Sequence, residues 1–324
     1  MNSSYKSFLT LFGIFLIGTC CTLETLNAAD TAPIANAPNI PPELAGIKAE
    51  SAILIDAKTG KVLFARNENA PRQIASTQKL LTALLVAEEG DLDHTFTIEF
   101  PDTQAEPTKL DFKPGEVYSR RALLTVMLVK STNDAALALA RDNAGSVEAF
   151  ADKMNRRAFV LGATHSHFVN PNGLPSHEQY STASDLSKIA MAAHENPTLR
   201  PIVAMKDVVF QYSTGHLVAF HSTNHVLSKY PFCTGMKTGY TVDAKHCLVL
   251  SGEYKDREVI AVVLGCGKHQ APNEATELIC YGLGIPFEQP KEVDEDTTPA
   301  PAKTKTSGKK KKHHITVHSK NQSS

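Results

Sequence analysis

The chain has no tryptophan and almost no net charge: 33 Lys and Arg against 34 Asp and Glu leave a formal −1. A nucleic-acid-binding domain needs a basic globular face, and the one dense basic run, Lys309 to Lys312, lies in the C-terminal stretch. No nucleic-acid partner is expected. The N-terminal apolar run, Phe8 to Thr19, falls short of the ~20 residues that cross a bilayer. Cysteine is sparse, with six residues and no Cys-x-x-Cys pair. His221 and His225 stand four apart, but on a segment that reads as loop or strand, so they are taken as surface histidines. No metal and no cofactor are assigned.

What is present at the N-terminus has the order of an export signal. Lys6 supplies a basic start, the apolar run follows, and Ala28-Ala29 offer a cleavage point. The expected organisation is a signal over residues 1–29, a Pro/Ala-rich linker over 30–45, a folded domain over 46–288 and a disordered basic tail over 289–324. Export places Cys233, Cys247, Cys266 and Cys280 in a disulfide-permissive setting. With a turn centred on Asp256-Arg257, Cys247 and Cys266 would face each other as a candidate cross-strand pair. The Lys309–Lys312 block offers a weak contact with an anionic envelope surface. A merely solvated tail is the competing reading.

The 42% hydrophobic content is enough for a substantial core. SAILIDAKTGKVLFARN gives two apolar runs around a Lys58-Thr59-Gly60 turn, a β-hairpin. Helical spacing follows from Ser76 to Gly90, over Arg120–Val129, Thr132–Arg141, Val147–Gly162 and Ser184–His194. Beyond Val208 the pattern turns to strand, with a hairpin LVLSGEYK/EVIAVVLG and a closing helix over Glu274–Tyr281. Strands at both ends with helices between them predict an α+β domain, an antiparallel sheet covered by helices, and not a βαβ repeat.

Three short motifs stand in order: Ser76-Thr77-Gln78-Lys79, Ser131-Thr132-Asn133 and Lys237-Thr238-Gly239. Each alone is weak; a Ser-x-x-Lys is expected roughly once by chance in a chain this long. Context separates the copies. Ser3–Lys6 and Ser307–Lys310 lie in the terminal segments, and Lys58-Thr59-Gly60 forms a hairpin tip. Ser76 opens a predicted helix, which puts Lys79 one turn away on the same face. A serine hydroxyl needs an adjacent base, and Lys79 serves only if burial and neighbouring cations strip its proton. A helix cap at Ser76 and a solvated Lys79 form the plain alternative. Ser131 and Asn133 break two helical runs, where a hydroxyl can relay a proton and an amide can hold a substrate amide. On a sheet edge, Lys237 and Thr238 can bind a carboxylate, with Gly239 leaving room for a substrate backbone.

Beyond the three motifs, residues Ala49 to Phe287 resemble the low-molecular-mass penicillin-binding proteins, the serine-type D-Ala-D-Ala carboxypeptidases. The likeness is carried by IDAKTGKVLFARNENAPRQIASTQKLLTALL, KSTNDAALALA, FVNPNGLPSHEQYSTASDLSKIA and MKTGYTVDAKHCLVLSG, followed by REVIAVVLG. The resemblance implies the penicillin-binding/β-lactamase-like transpeptidase fold: a five-stranded antiparallel sheet flanked by helices, with an inserted all-helical lobe. It also implies a periplasmic or cell-envelope protein acting on peptidoglycan stem peptides and inhibited by β-lactams. Ser76 would be the acyl-enzyme nucleophile, Lys79 the general base and Ser131 the proton relay, with Asn133, Lys237, Thr238 and Gly239 binding substrate. A D,D-endopeptidase, a β-lactamase and a weakly active peptidoglycan-binding protein are the alternatives. Gln78 stands where the family commonly has Thr, Thr132 replaces a small residue, Thr234 an Asp and Lys245 a Gly. Lys268 is the nearest substitute for an Arg that some members place by the substrate carboxylate.

Overall fold

The computed structural model describes residues 41–288; the expected signal, most of the linker and the basic tail lie outside them. A short 3₁₀ turn, Pro42–Leu44, belongs to a separate N-terminal unit, and everything below concerns the chain from Gly46 onward.

The first hairpin joins β1 (Ser51–Asp56) and β2 (Val62–Arg66). Its tip is the Lys58-Thr59-Gly60 turn. There the Asp56 carboxylate accepts bonds from Lys58 N, Thr59 N and Thr59 Oγ1. Helix α1 (Lys79–Glu89) follows, ended by Gly90 at φ 78°. Two short strands, β3 (Thr95–Thr97) and β4 (Val117–Ser119), form a small sheet of their own. Ser119 caps α2 (Arg120–Lys130) by accepting from Ala122 N, and Ser146 caps α4 (Val147–Val160) in the same way from Ala149 N. Between them runs α3 (Asn133–Ala144).

Helix α5 (Ala183–Glu195) and the short α6 (Leu199–Val203) return the chain toward the sheet. A second small hairpin, β5 (Asp207–Gln211) with β6 (Leu217–His221), and a single turn α7 (Val226–Lys229) precede the main strands. These are β7 (Cys233–Thr241), β8 (Lys245–Tyr254) and β9 (Arg257–Cys266), closed by α8 (Gln270–Leu283). The main sheet is antiparallel throughout, in the order β2-β1-β9-β8-β7, so β7 is an edge strand.

Period-two alternation divides the apolar strand residues between two faces. Ile53, Ile55, Val249, Ile260, Val262 and Leu264 join the core cluster built with Leu80, Leu84, Leu123, Leu139 and Ile189 of the helices. Leu54 and Val259 face the other way onto α8, where a Cβ on Gly282 would meet both. Because both faces are covered, β9 reads as a continuous apolar run with little alternation. Fully burying one such Leu or Ile contributes about 1.5–3 kcal/mol.

Two details of the β8–β9 hairpin depart from expectation. Its turn centres on Lys255-Asp256, with Tyr254 opposite Arg257, one residue earlier than predicted. A bulge between His246 and Leu248 shifts the register again, so Cys266 lies opposite His246. Cys247 and Cys266 therefore do not form the expected cross-strand pair. Cys233, Cys247, Cys266 and Cys280 are all free and buried. Lys245 adopts φ 56°, a left-handed conformation that Gly reaches without strain, and pairs with Glu50.

Candidate active site

Ser76 lies one turn ahead of helix α1, in a 3₁₀ turn over Ala75–Gln78, and the α-helix itself starts at Lys79. This corrects the expectation that Ser76 opens the helix, and the tighter turn has a consequence. With three residues per turn, side chains at i and i+3 eclipse, which stacks Lys79 over Ser76. Lys79 Nζ is 2.8 Å from Ser76 Oγ. The turn is entered through Ala75 at φ 48°, a conformation that costs a non-glycine residue on the order of 1 kcal/mol.

Lys79 is completely buried, and it has no carboxylate partner. Its Nζ also lies 2.7 Å from Asn133 Oδ1 and 2.6 Å from the main-chain oxygen of Asn172. Burial drives its proton affinity well below the ordinary lysine value and the charge of Lys237 lowers it further, while Asp134 opposes both. A neutral amine has two hydrogens and one lone pair. With the hydrogens on Asn133 Oδ1 and Asn172 O, the lone pair is left facing the Ser76 hydroxyl.

Asn133 is held from behind. Its Nδ2 donates to Glu106 O (2.9 Å) and Pro107 O (3.0 Å), and its main-chain N donates to Thr108 O (2.7 Å). The adjacent Asp134, also buried, accepts from Leu110 N (2.6 Å) and Ala135 N (2.9 Å), and burial pushes its carboxyl up to about 6.

Ser131 ends α2 in the left-handed conformation, φ 70°, which turns its hydroxyl toward the edge strand. Lys237 Nζ donates to Ser131 Oγ at 2.8 Å and to Thr238 O at 2.9 Å. Lys237 is also buried, and desolvation brings its proton affinity down to about 7. Thr238 Oγ1 donates to Thr223 Oγ1 at 2.6 Å. The structure thus brings the three motifs together as two Ser–Lys pairs, Ser76–Lys79 and Ser131–Lys237.

Gly239 frees a space that the protein itself occupies. A Cβ there would come within 2.9 Å of Ser76 N and 3.0 Å of both Ile74 O and Thr77 N. The missing side chain lets β7 lie directly on the turn that carries Ser76. Lys268 is exposed just past β9, and its charge acts on His246. Among the described residues no group of His, Cys, Asp and Glu is arranged to hold a metal, and His221 instead pairs with Asp207.

Sequence reasoning missed the segment Asn170–Gly173. Its contribution is a main-chain carbonyl, Asn172 O, which also lies 3.3 Å from Ser76 Oγ. Gly173, at φ 83°, allows the approach: a Cβ there would fall 2.1 Å from Ala75 O. The one signal in the sequence is the Asn-Pro-Asn-Gly run, which marks a tight turn and says nothing of its neighbours.

A serine hydroxyl lies against a buried amine that has no carboxylate hydrogen-bond partner, with a second Ser–Lys pair across a sheet edge, an arrangement in which an amine can activate a hydroxyl. The family described as D-alanyl-D-alanine carboxypeptidase, peptidase S11, matches residues 35–268. The D-alanyl-D-alanine carboxypeptidase DacB2 of Mycobacterium tuberculosis is 36% identical over 243 residues, covering 73% of this chain and 83% of that protein. A D-alanyl-D-alanine endopeptidase of Pseudomonas aeruginosa is 34% identical over 250 residues, 74% of this chain and 80% of the other. The D-alanyl-D-alanine carboxypeptidase DacF of Bacillus subtilis is 31% identical, and there the match spans 63% of its length. Among solved structures, a D-alanyl-D-alanine carboxypeptidase from M. tuberculosis superposes with a TM-score of 0.69 at 33% identity, covering 79% of this chain and 96% of that one. The Streptomyces K15 DD-transpeptidase gives 0.69 at 30% identity, over 74% and 98%. The chain belongs to the peptidase S11 family of low-molecular-mass penicillin-binding proteins.

Proposed function

We propose that this protein is a serine-type D-alanyl-D-alanine carboxypeptidase that removes the terminal D-Ala from peptidoglycan stem peptides. The observation that carries the reading is Lys79: an amine wholly out of water, 2.8 Å from Ser76 Oγ, with no carboxylate among its hydrogen-bond partners. Such an amine can take a proton at neutral pH, where an ordinary lysine cannot.

Ser76 Oγ attacks the carbonyl carbon of the penultimate D-Ala as its proton passes to Lys79 Nζ. The tetrahedral intermediate collapses, the C–N bond breaks, and the departing D-Ala amine receives a proton, with Ser131 as the relay on its side of the cleft. Water then attacks the ester, and the same groups return the Ser76 hydroxyl. Lys237, with Thr238 beside it, attracts the substrate carboxylate, and Asn133 both anchors Lys79 and faces the substrate amide. A β-lactam places its ring amide where the peptide bond would lie, and leaves Ser76 acylated.

Intact mass with and without penicillin, peptide mapping of the adduct and D-Ala release from a pentapeptide test the reading together. The expected results are one adduct on Ser76, free D-Ala, and loss of both in Ser76→Ala. An adduct on another residue reassigns the nucleophile.

A second reading, D,D-endopeptidase, is favoured by one specific finding: relatives from P. aeruginosa and Escherichia coli, 34% and 31% identical, carry that name. Cleavage of a crosslinked muropeptide dimer in preference to a pentapeptide would select it. Substrate in the wall calls for an exported protein, in periplasm or cell envelope, with residues 1–29 as the signal and 289–324 as a tail touching the envelope. Among the described residues, no helix is long and apolar enough to cross a membrane.

A further inference from the structure

The Asn172 carbonyl that receives Lys79 sits in a loop, where main-chain oxygens ordinarily wander. Here three amide side chains pin it. Gln78, fully buried and immediately before Lys79, donates through Nε2 to the main-chain oxygen of Asn170. The same Nε2 lies 3.2 Å from Asn170 Oδ1 and 3.4 Å from Gln179 Oε1. Gln179, also buried, accepts from Val169 N at 3.1 Å and Asn170 N at 3.2 Å and donates to Leu174 O at 3.0 Å. Asn170 closes the loop on itself: Oδ1 accepts from Gly173 N at 2.9 Å and Nδ2 donates to Leu174 O at 3.0 Å. One turn further along α1, Thr82 Oγ1 donates to Pro171 O at 2.6 Å. The residues on either side of Asn172 are therefore tied to the helix that carries Lys79, or to each other.

We propose that Gln78, Asn170 and Gln179 form a positioning ladder that fixes the Asn172 carbonyl and so aims the Lys79 lone pair at Ser76. The inference rests on the acyl-transfer reading above. Its logic is the valence of a neutral amine. While Asn133 Oδ1 and Asn172 O each take an N–H, rotation about the terminal C–N bond of Lys79 is locked and only the lone pair can meet the serine hydroxyl. Should the carbonyl drift, a freed N–H can turn to Ser76 Oγ and donate to it. A hydroxyl oxygen held as an acceptor by its intended base keeps its own proton. Gln78 has both the length and the donor needed to reach Asn170 O from the turn before α1.

The test separates binding from chemistry. Time-resolved acylation by a fluorescent penicillin yields a non-covalent dissociation constant and a first-order acylation constant, and intact mass gives the fraction of labelled sites. For Gln78→Met the acylation constant is expected to fall about 10- to 100-fold, as for misplacement by an ångström or less, with the dissociation constant and the final labelled fraction unchanged. Gln78→Glu regains a donor only while its carboxyl holds a proton, so its acylation relative to wild type should decline as pH rises. If the labelled fraction falls while the remaining sites acylate at the wild-type rate, Gln78 is merely structural and the proposal fails. If Gln78→Met yields no folded protein, Gln179→Met breaks the ladder from its far side, with the same expected result and the same overturning one. Wild type without an adduct on Ser76 overturns the acyl-transfer reading and the ladder with it. A labelled wild type matched in rate by both Gln78 variants overturns the ladder alone.

Discussion

Lys237 on the edge strand lies close enough to Lys79 on helix α1 for its charge to hold down the proton affinity of the second lysine. Both amines are out of water and neither is paired with a carboxylate among the described residues, so the arrangement trades stability for reactivity.

That trade is measurable. Lys237 titrates at about 7 in the folded protein but near 10.4 in an unfolded chain, a depressed folded value. The unfolded state therefore binds more protons between these limits, and stability rises with pH across that window. Lys237→Met removes the penalty. It is expected to raise Tm by roughly 4–8 °C at pH 7, for a net gain of about 2 kcal/mol after the Ser131 hydroxyl loses its partner. The gain should shrink as pH rises from 7 and be gone above about pH 11.5, where the lysine is neutral in both states. Calorimetry at the two pH values decides; a difference that ignores pH would mean Lys237 keeps its charge when buried.

Replacing Lys79 should remove the base without emptying the site of Ser76. Lys79→Met offers only a thioether, far too weakly basic to take a proton, and Lys79→Arg is charged at any working pH. Both are expected to slow penicillin acylation by about 10²- to 10⁴-fold, the usual worth of a positioned general base. Wild-type acylation kinetics in Lys79→Arg would assign the proton to another acceptor.

Asp134 works against Lys237. Its carboxyl, raised to about 6 by burial, is ionised at neutral pH and supports the protonated form of Lys79. The titratable groups that face it are Lys79 and Tyr212 from the β5–β6 connection, while Asp111 in the neighbouring loop offers it a main-chain N–H. Asp134→Asn keeps a side-chain acceptor for Leu110 N but drops the charge, so Lys79 should lose its proton more readily. The acid limb of the acylation–pH profile is expected to move to lower pH, on the order of one unit. A limb that stays in place would show that Asp134 serves only the loop.

Glycine substitution probes the backing of the nucleophile turn. Gly239 has an ordinary backbone conformation, so Gly239→Ala should fold while pressing its Cβ on Ser76 N and Thr77 N. Acylation is expected to fall about 10- to 100-fold with a small change in Tm. Gly173→Ala carries both positive φ and a clash with Ala75 O and should lose stability as well as rate. Equal behaviour of the two variants in thermal unfolding would contradict the difference in backbone strain.

The six longer helices, the β1–β2 and β8–β9 hairpins and the three motifs can be read from the chain because each depends on local pattern: apolar spacing, caps, and a serine three residues before a lysine. The five-stranded sheet is expected from the family resemblance, and the short α6 and α7 are not foreseen. The misreadings share a cause. Asp256-Arg257 draws the predicted β8–β9 turn because both are polar turn residues, yet Lys255 takes the left-handed position at φ 56°, which lysine seldom signals. The hairpins β3–β4 and β5–β6 are short and half-exposed, with weak alternation. Asn172 contributes an atom that every residue possesses, so no side-chain chemistry announces it. Nothing in the sequence tells that the turn carrying Ser76 lies against Gly239.

The reacting groups come from four stretches far apart along the chain, Ala75–Lys79, Ser131–Asp134, Asn170–Gly173 and Lys237–Gly239, and the last completes the pocket only when the edge strand is laid down. On the proposed function, antibiotic capture is expected to be an all-or-none gauge of maturation. A nascent or partly denatured molecule holds an ordinary, solvated lysine beside an inert alcohol, and it acquires chemistry at the moment the polypeptide closes over itself.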